Sequence, residues 1–443
     1  MRLTLIALVG LALAGCDRRA ADMSVAGETR AASAEASGTS SSEATRATPA
    51  EATRIDALGR EGVPAGFTFV TEPRPFEFPR DHGPHPEFRH EWWYVTGHLD
   101  ADTGQHFGFE LTFFRFALMP PRAPAASAAA PTSGSIAPTE SPSQQASLAQ
   151  PSPSALAEPF SSAWRTRQIY MAHFAITDLD RRHFQSSEKY ARDALGMSGA
   201  QAEPFKVWLD DWSLGTPPTE TGSAGSSYWR LRANDKTYSF DLQLRAVTPP
   251  VLNGESGLSQ KSSEPGAASY YYSVPRMAAT GRVTRDGKPL TVQGLAWLDR
   301  EWGSGALGGN QQGWDWFALQ FDDGATLMFY ALRTKEGQRD PHSAGTWFAP
   351  DGTTHPLAND DVQIEVKEYW NSPRGGRYPA RWQLRVPSLQ LDIDVQPRLA
   401  DQELTTSTRY WEGAATITGK RAGTDANGRA YVELVGYAAA PTR

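Results

Sequence analysis

Two stretches of the chain set acidic side chains among aromatic ones. Asp299, Glu301 and Asp315 lie among Trp297, Trp302, Trp314 and Trp316, while His90 and Glu91 precede Trp92, Trp93 and Tyr94. A carboxylic acid buried against indole rings resists ionisation, because desolvation penalises its charged form, so it remains a proton donor at neutral pH. An indole face also stabilises positive charge through its quadrupole. Adding water to an isolated C=C needs just such an acid to protonate carbon, a surface that stabilises a tertiary cation, and a positioned water. The same residues have an ordinary reading too, in which Arg300 pairs with Glu301, Glu91 pairs with an inward Arg, and the tryptophans fill barrel floors.

Other chemistries find less support. His82, His85, His90, His98 and His106 are close in sequence, but their spacing matches no metal-ligand pattern, and no metal or other cofactor is expected. Ser186 and Lys189 form an isolated Ser-x-x-Lys without partner motifs, and neither a Gly-x-Ser-x-Gly elbow nor a phosphate loop is present. With 43 Lys+Arg against 50 Asp+Glu and a formal charge of -7, the chain offers no broad basic surface for nucleic acid. A single cysteine, Cys16, cannot form an intramolecular disulfide, so stability must come from a core.

The elements that must position these residues read as strands. Phe107, Phe109, Leu111 and Phe113 alternate with Gly108, Glu110 and Thr112; Val362, Ile364 and Val366 alternate with Gln363, Glu365 and Lys367. Only Ser187 to Leu195 suggests a helix. No βαβ alternation appears, which leaves antiparallel sandwiches or barrels. Trp93-Tyr94, a turn at Asp100 to Gly104 and Phe114-Arg115 are echoed by Trp316-Phe317, Asp322 to Gly324 and Leu332-Arg333. Two similar halves are implied, each suited to a calyx floored by Trp.

The N-terminal stretch has another character. Arg2, an apolar run from Leu3 to Ala14, and Leu13-Ala14-Gly15-Cys16 resemble a bacterial lipoprotein signal, with residues 1–15 removed and Cys16 lipidated. Residues 16–62 lack aromatics and read as a disordered tether. Residues 120–159, rich in Ala, Pro and Ser, read as a disordered insertion within a folded domain. Residues 63–285 and 286–443 are then the two folded domains. This places the protein in the bacterial cell envelope, anchored on the periplasmic face, with Asp17 favouring the inner membrane.

Several motifs together resemble the CrtC-like family, which includes carotenoid 1,2-hydratase and the AttH-like proteins. They are His90-Glu91-Trp92-Trp93-Tyr94-Val95-Thr96-Gly97, Asp299-Arg300-Glu301-Trp302-Gly303, Gly313-Trp314-Asp315-Trp316-Phe317, Tyr170 through Asp178, and Tyr270-Tyr271-Tyr272-Ser273. The resemblance implies an all-β fold of two tandem lipocalin-like antiparallel barrels with a ligand cavity near their junction. Asp299, Trp302 and Gly303 match by position. Arg300 and Glu301 stand where carotenoid hydratases carry His and Asn, which favours the AttH-like branch.

The expected activity is binding of a hydrophobic lipid, isoprenoid or polyketide-like molecule in the envelope, in the service of an ABC-type transporter; the alternative is a hydratase. Asp299, Glu301 and Trp302 are the expected catalytic residues. His90, Glu91, Trp93, Tyr94, Trp314, Asp315 and Trp316 are the expected ligand contacts. Replacement of Cys16 by Ser should move the protein from the membrane fraction to the soluble fraction; persistence with membranes would remove the lipid anchor.

Overall fold

The computed structural model describes residues 63–121, 166–217, 228–305 and 307–438, so the signal, Cys16, the tether and nearly all of the 120–159 insertion lie outside the described residues. Alternation with period two dictates the strands, 24 of them among the described residues, with no α-helix. Ser187–Leu195 does not form the expected helix. Most of it belongs to the strand His183–Arg192, which pairs with Gln168–Asp178. A neighbouring strand with open hydrogen-bonding groups outweighs weak local propensity.

Thirteen strands form the first antiparallel sheet, and eleven form the second. The first curls until Lys206–Leu209 meets Gln168–Asp178 and His183–Arg192, nearly closing a barrel around Phe107, Phe109, Leu111, Phe113, Trp93 and Trp302. The second wraps around Phe317, Phe329, Trp382 and Trp411. Both interiors are filled by their own apolar side chains.

The first sheet extends past the expected boundary at 285/286. Lys288–Gly303 lies between His90–Ala101 and Ala268–Arg285, in antiparallel register with both. An Asp286-Gly287 turn makes it the return arm of a hairpin: Arg285 faces Lys288, and both turn residues have positive φ, 52° and 72°. Asp-Gly is the favoured pair for such a two-residue turn. The crossing to the second sheet comes instead between Gly303 and Gln311.

Inside the first barrel a buried ion cluster locks three of these strands. Glu91 accepts from Arg115 Nε at 2.5 Å, from Arg300 Nη2 at 2.8 Å and from the His85 backbone at 3.0 Å. Burial alone would raise the Glu91 pKa, but Arg115, Arg300 and His85 outweigh it and hold the carboxyl well below its usual range. Arg115 also donates to the carbonyls of His85 and Phe88, at 2.8 and 2.9 Å. Glu91 thus does pair with an inward Arg, while the partner of Arg300 is Glu91 rather than Glu301.

The two sheets meet by their outer faces. Tyr94, Tyr271 and Trp297 of the first pack with Trp316, Met328, Tyr330 and Leu332 of the second. His98 Nε2 lies 2.8 Å from the Ala430 carbonyl, and Thr177 Oγ1 donates to Gln402 Oε1 at 2.8 Å. At Gly108 the sheets are so close that a Cβ would stand 2.6 Å from Ala414 Cβ.

Strands His106–Ala117 and Gln168–Asp178, on either side of the 120–159 segment, are adjacent and antiparallel, and Leu118 N donates to Arg167 O at 2.8 Å. A short hairpin loop can therefore join them. Replacing residues 122–159 with a Gly-Ser linker should shift the melting temperature by no more than about 2 °C, since closure entropy changes slowly with loop length. A larger drop in a thermal melt would show that this segment packs on the fold.

Candidate active site

A cavity of about 380 Å³ lies between the outer faces of the sheets, with walls from both. Strand register explains its composition. Across the first sheet one row runs Ser273, Asp299, Tyr94, Thr112, His173, Glu188, and the next runs Tyr271, Glu301, Trp92, Phe114, Met171. Across the second sheet the facing row is Tyr330, Trp316, Glu433, Glu412. Members of each row are opposite one another and share a face because side chains alternate along every strand.

Asp299 stands at one end of the cavity. Its carboxylate accepts from Ser273 Oγ at 2.5 Å, from Trp297 Nε1 at 2.6 Å and from the Tyr271 hydroxyl, which itself accepts from Trp316 Nε1 at 3.1 Å. Burial raises the Asp299 pKa to about 7, against the three donors and with help from the charge of Glu301. Glu301 accepts from Ser269 and is paired with Lys261 Nζ at 3.0 Å. Lys261 also stands 4.2 Å from the centre of the Tyr330 ring. Burial opposes its charge, but Glu301 and Tyr330 more than compensate and raise its pKa. A proton donor near neutrality thus sits beside a fixed cation in an aromatic enclosure, which is an arrangement able to move a proton to or from a bound apolar molecule.

His90, Tyr94, Asp299, Glu301, Trp314 and Trp316 are brought together on the cavity wall. Burial, with Arg89 and Arg115, pushes the His90 pKa down to about 3, so this ring is neutral. Four expected site residues are elsewhere. Glu91 and Trp93 point into the first barrel, where Trp93 Nε1 donates to the His82 carbonyl at 2.9 Å. Trp302 joins the same core, stacked on His85 with ring centres 3.8 Å apart. Asp315 turns from the cavity to Arg333, at 3.1 Å, and Tyr437. In each case the reason is parity: a residue next to a cavity-facing one faces the opposite side of its sheet.

The expected site residues did not include Trp92, Lys261, Tyr271, Ser273, His173, Tyr410, Glu412 and Glu433, although Trp92 was noted beside His90 and Glu91. Tyr271, Ser273 and His173 stand within motifs already noted, at positions whose alternation places them on the Asp299 face. Lys261, Tyr410, Glu412 and Glu433 carry no local signal and arrive only through the meeting of the two sheets. Among the described residues, no group of three or more His, Cys, Asp or Glu side chains is arranged to hold a metal ion.

A family model described as AttH-like matches residues 69–437. The crystal structure of a protein of Nitrosomonas europaea assigned as an AttH is 31% identical, covers 84% of this chain and 100% of its own, and superposes with a TM-score of 0.67. Kievitone hydratase of Nectria haematococca is 15% identical, with a TM-score of 0.57 over 84% of this chain and 99% of its own, a likeness of fold. The dehydratase asqC of Emericella nidulans is 23% identical over 217 residues, which make up 46% of this chain and 60% of that protein.

The position of Asp299 has a consequence for stability. Its folded pKa, about 7, lies above the ordinary aspartate value of 3.8, so the folded state holds this proton more tightly than the unfolded chain. The associated stability is complete below the lower value and is lost as pH rises through the higher one. Urea unfolding of Asp299→Asn, which cannot ionise, should therefore gain on wild type between acid and mildly alkaline pH, by on the order of 4 kcal/mol. A pH-independent difference between the two proteins would show that Asp299 titrates normally.

Proposed function

The chain belongs to the AttH-like family, and from that premise we propose that it adds water to, or removes water from, an apolar substrate held in the junction cavity. One observation carries this reading: a buried Asp299 whose pKa is about 7, on the wall of an aromatic cavity. A relative named as a dehydratase and a structural neighbour named as a hydratase support it, since the two activities are opposite directions of one reaction.

In the dehydration direction, the Asp299 acid protonates a substrate hydroxyl, the C–O bond breaks and water departs. The resulting carboxylate then accepts the proton lost from the adjacent carbon as the C=C forms. Hydration reverses each step. Trp92 and Trp316 flank this end of the cavity and stabilise positive charge on the reacting carbon through their ring faces. Lys261, held by Glu301, orients the water or substrate oxygen.

A second reading, carriage of a hydrophobic molecule without chemistry, is favoured by the apolar remainder of the wall, including Phe114, Phe116, Ile169, Met171, Leu307 and Leu332. The lipoprotein-like ending at Cys16 supports an envelope location under either reading, and delivery to an ABC-type transporter there is part of the proposal.

Organic extraction of the purified protein followed by mass spectrometry separates the two. Catalysis should yield a pair of ligands differing by one water, interconverted on re-addition of wild-type protein, whereas carriage yields one unchanged compound. Asp299→Asn should retain the ligand and lose turnover by roughly 10²-fold or more. Undiminished turnover in this variant would remove Asp299 as the acid.

A further inference from the structure

The Asp299 end occupies only part of the cavity. On the second sheet, Glu412 and Glu433 face each other directly across adjacent strands, and both line the cavity. Glu110, from the first sheet, interacts electrostatically with both. Glu110 and Glu412 are fully buried, at 0% and 1% exposure, and among the described ion pairs none involves any of the three. Like charges directly opposite each other repel, and in a low-dielectric enclosure each resists ionisation. Burial accordingly raises all three, Glu433 to about 8.

These groups are also incompletely satisfied. Glu110 Oε2, Glu412 Oε2 and the Tyr431 hydroxyl are buried without a well-formed hydrogen bond, and the Tyr94 hydroxyl is the one side-chain donor directed at Glu412. A buried carboxyl oxygen without a partner is costly, and two of these groups, Glu412 and Tyr94, stand on the cavity wall. Aromatic faces surround them. Tyr94 packs edge-on to Trp316 with ring centres 5.1 Å apart, and Trp314 and Tyr410 complete the enclosure.

We propose that this end of the cavity receives a cationic head group, a protonated amine carried on the apolar body of the ligand. The inference rests on reading the cavity as the ligand site. An ammonium group offers donors beyond Tyr94 to the Glu412 carboxyl, and aromatic faces attract it. As it enters, one carboxyl of the cluster ionises and its proton leaves to solvent. Of the cations that line the cavity, Lys261 is held by Glu301, His173 lies between Glu188 and Tyr410, and Arg89 enters the wall beside His90. Asp299 and Glu301 are near enough to help raise the Glu433 pKa, so a carboxylate ligand such as a fatty acid would add to a crowd of acidic groups and is disfavoured.

The test uses three probes of equal chain length, decylammonium, decanol and decanoate, titrated into the purified full chain at neutral pH and followed by tryptophan fluorescence. Decylammonium should bind at least about tenfold more tightly than decanol, with decanoate weakest. Glu412→Gln and Glu433→Gln keep the shape of the protonated acid, so both should fold, as a thermal melt will show. They should bring decylammonium to within about threefold of decanol while leaving decanol affinity unchanged. Equal binding of amine and alcohol by wild type, or an amine preference that survives in both variants, overturns the proposal and leaves the cavity reading standing. Failure of all three probes to bind saturably overturns both. Should a variant unfold, the wild-type ratio decides alone.

Discussion

The arrangement depends on the anchoring of Glu91 inside the first barrel. Its carboxylate collects Arg115, Arg300 and the His85 backbone, so strands His90–Ala101, His106–Ala117 and Lys288–Gly303 must each send one particular residue inward. Alternation then leaves no freedom: Trp92, Phe114, Asp299 and Glu301 face outward, toward the second sheet. A register slip of one residue would bury Asp299 in the apolar interior and expose both guanidinium groups to the junction. Buried ion pairs contribute little net stability, because desolvation offsets their attraction, but breaking one is costly. Here the cluster gives the strands a single acceptable register.

That constraint allows a cavity to form where neither barrel alone provides one. Each interior is filled by its own core, and the open space lies between two outer faces tied together by His98, Thr177 and the close approach at Gly108. Because each sheet contributes carboxyl groups to this low-dielectric space, their ionisation is suppressed on both sides, at Asp299 on one and at Glu412 and Glu433 on the other. Several positive charges nearby are committed: Lys261 to Glu301, and Arg115 and Arg300 to Glu91. An acidic, aromatic enclosure follows from the way charges are allocated between the barrel interior and its outer face.

Much of this was legible in the amino-acid sequence. Period-two alternation and the absence of βαβ units determined the all-β antiparallel class, and the echo of Trp93-Tyr94 in Trp316-Phe317 marked two halves that indeed begin with matching hairpins. The clustering of Asp299 and Glu301 among tryptophans identified the acid whose pKa burial raises, since desolvation by neighbouring indoles is a local effect that nearby residues can announce. The extent of the first sheet was misread, because the boundary was placed at the Asp286-Gly287 turn that in fact makes Lys288–Gly303 the return arm of a hairpin.

The tertiary structure alone decided which members of each motif share a site. Glu91 and Trp93 adjoin Trp92 and Tyr94 in sequence yet face the opposite side of the sheet, as Trp302 does beside Glu301 and Asp315 beside Trp316. Conversely, Lys261, Tyr410, Glu412 and Glu433 join Asp299 from distant strands without any local mark. Adjacency along a chain fixes composition, whereas a site is a property of one face. Which face is outward was settled by the Glu91 cluster, and what meets that face was settled by how two sheets pack.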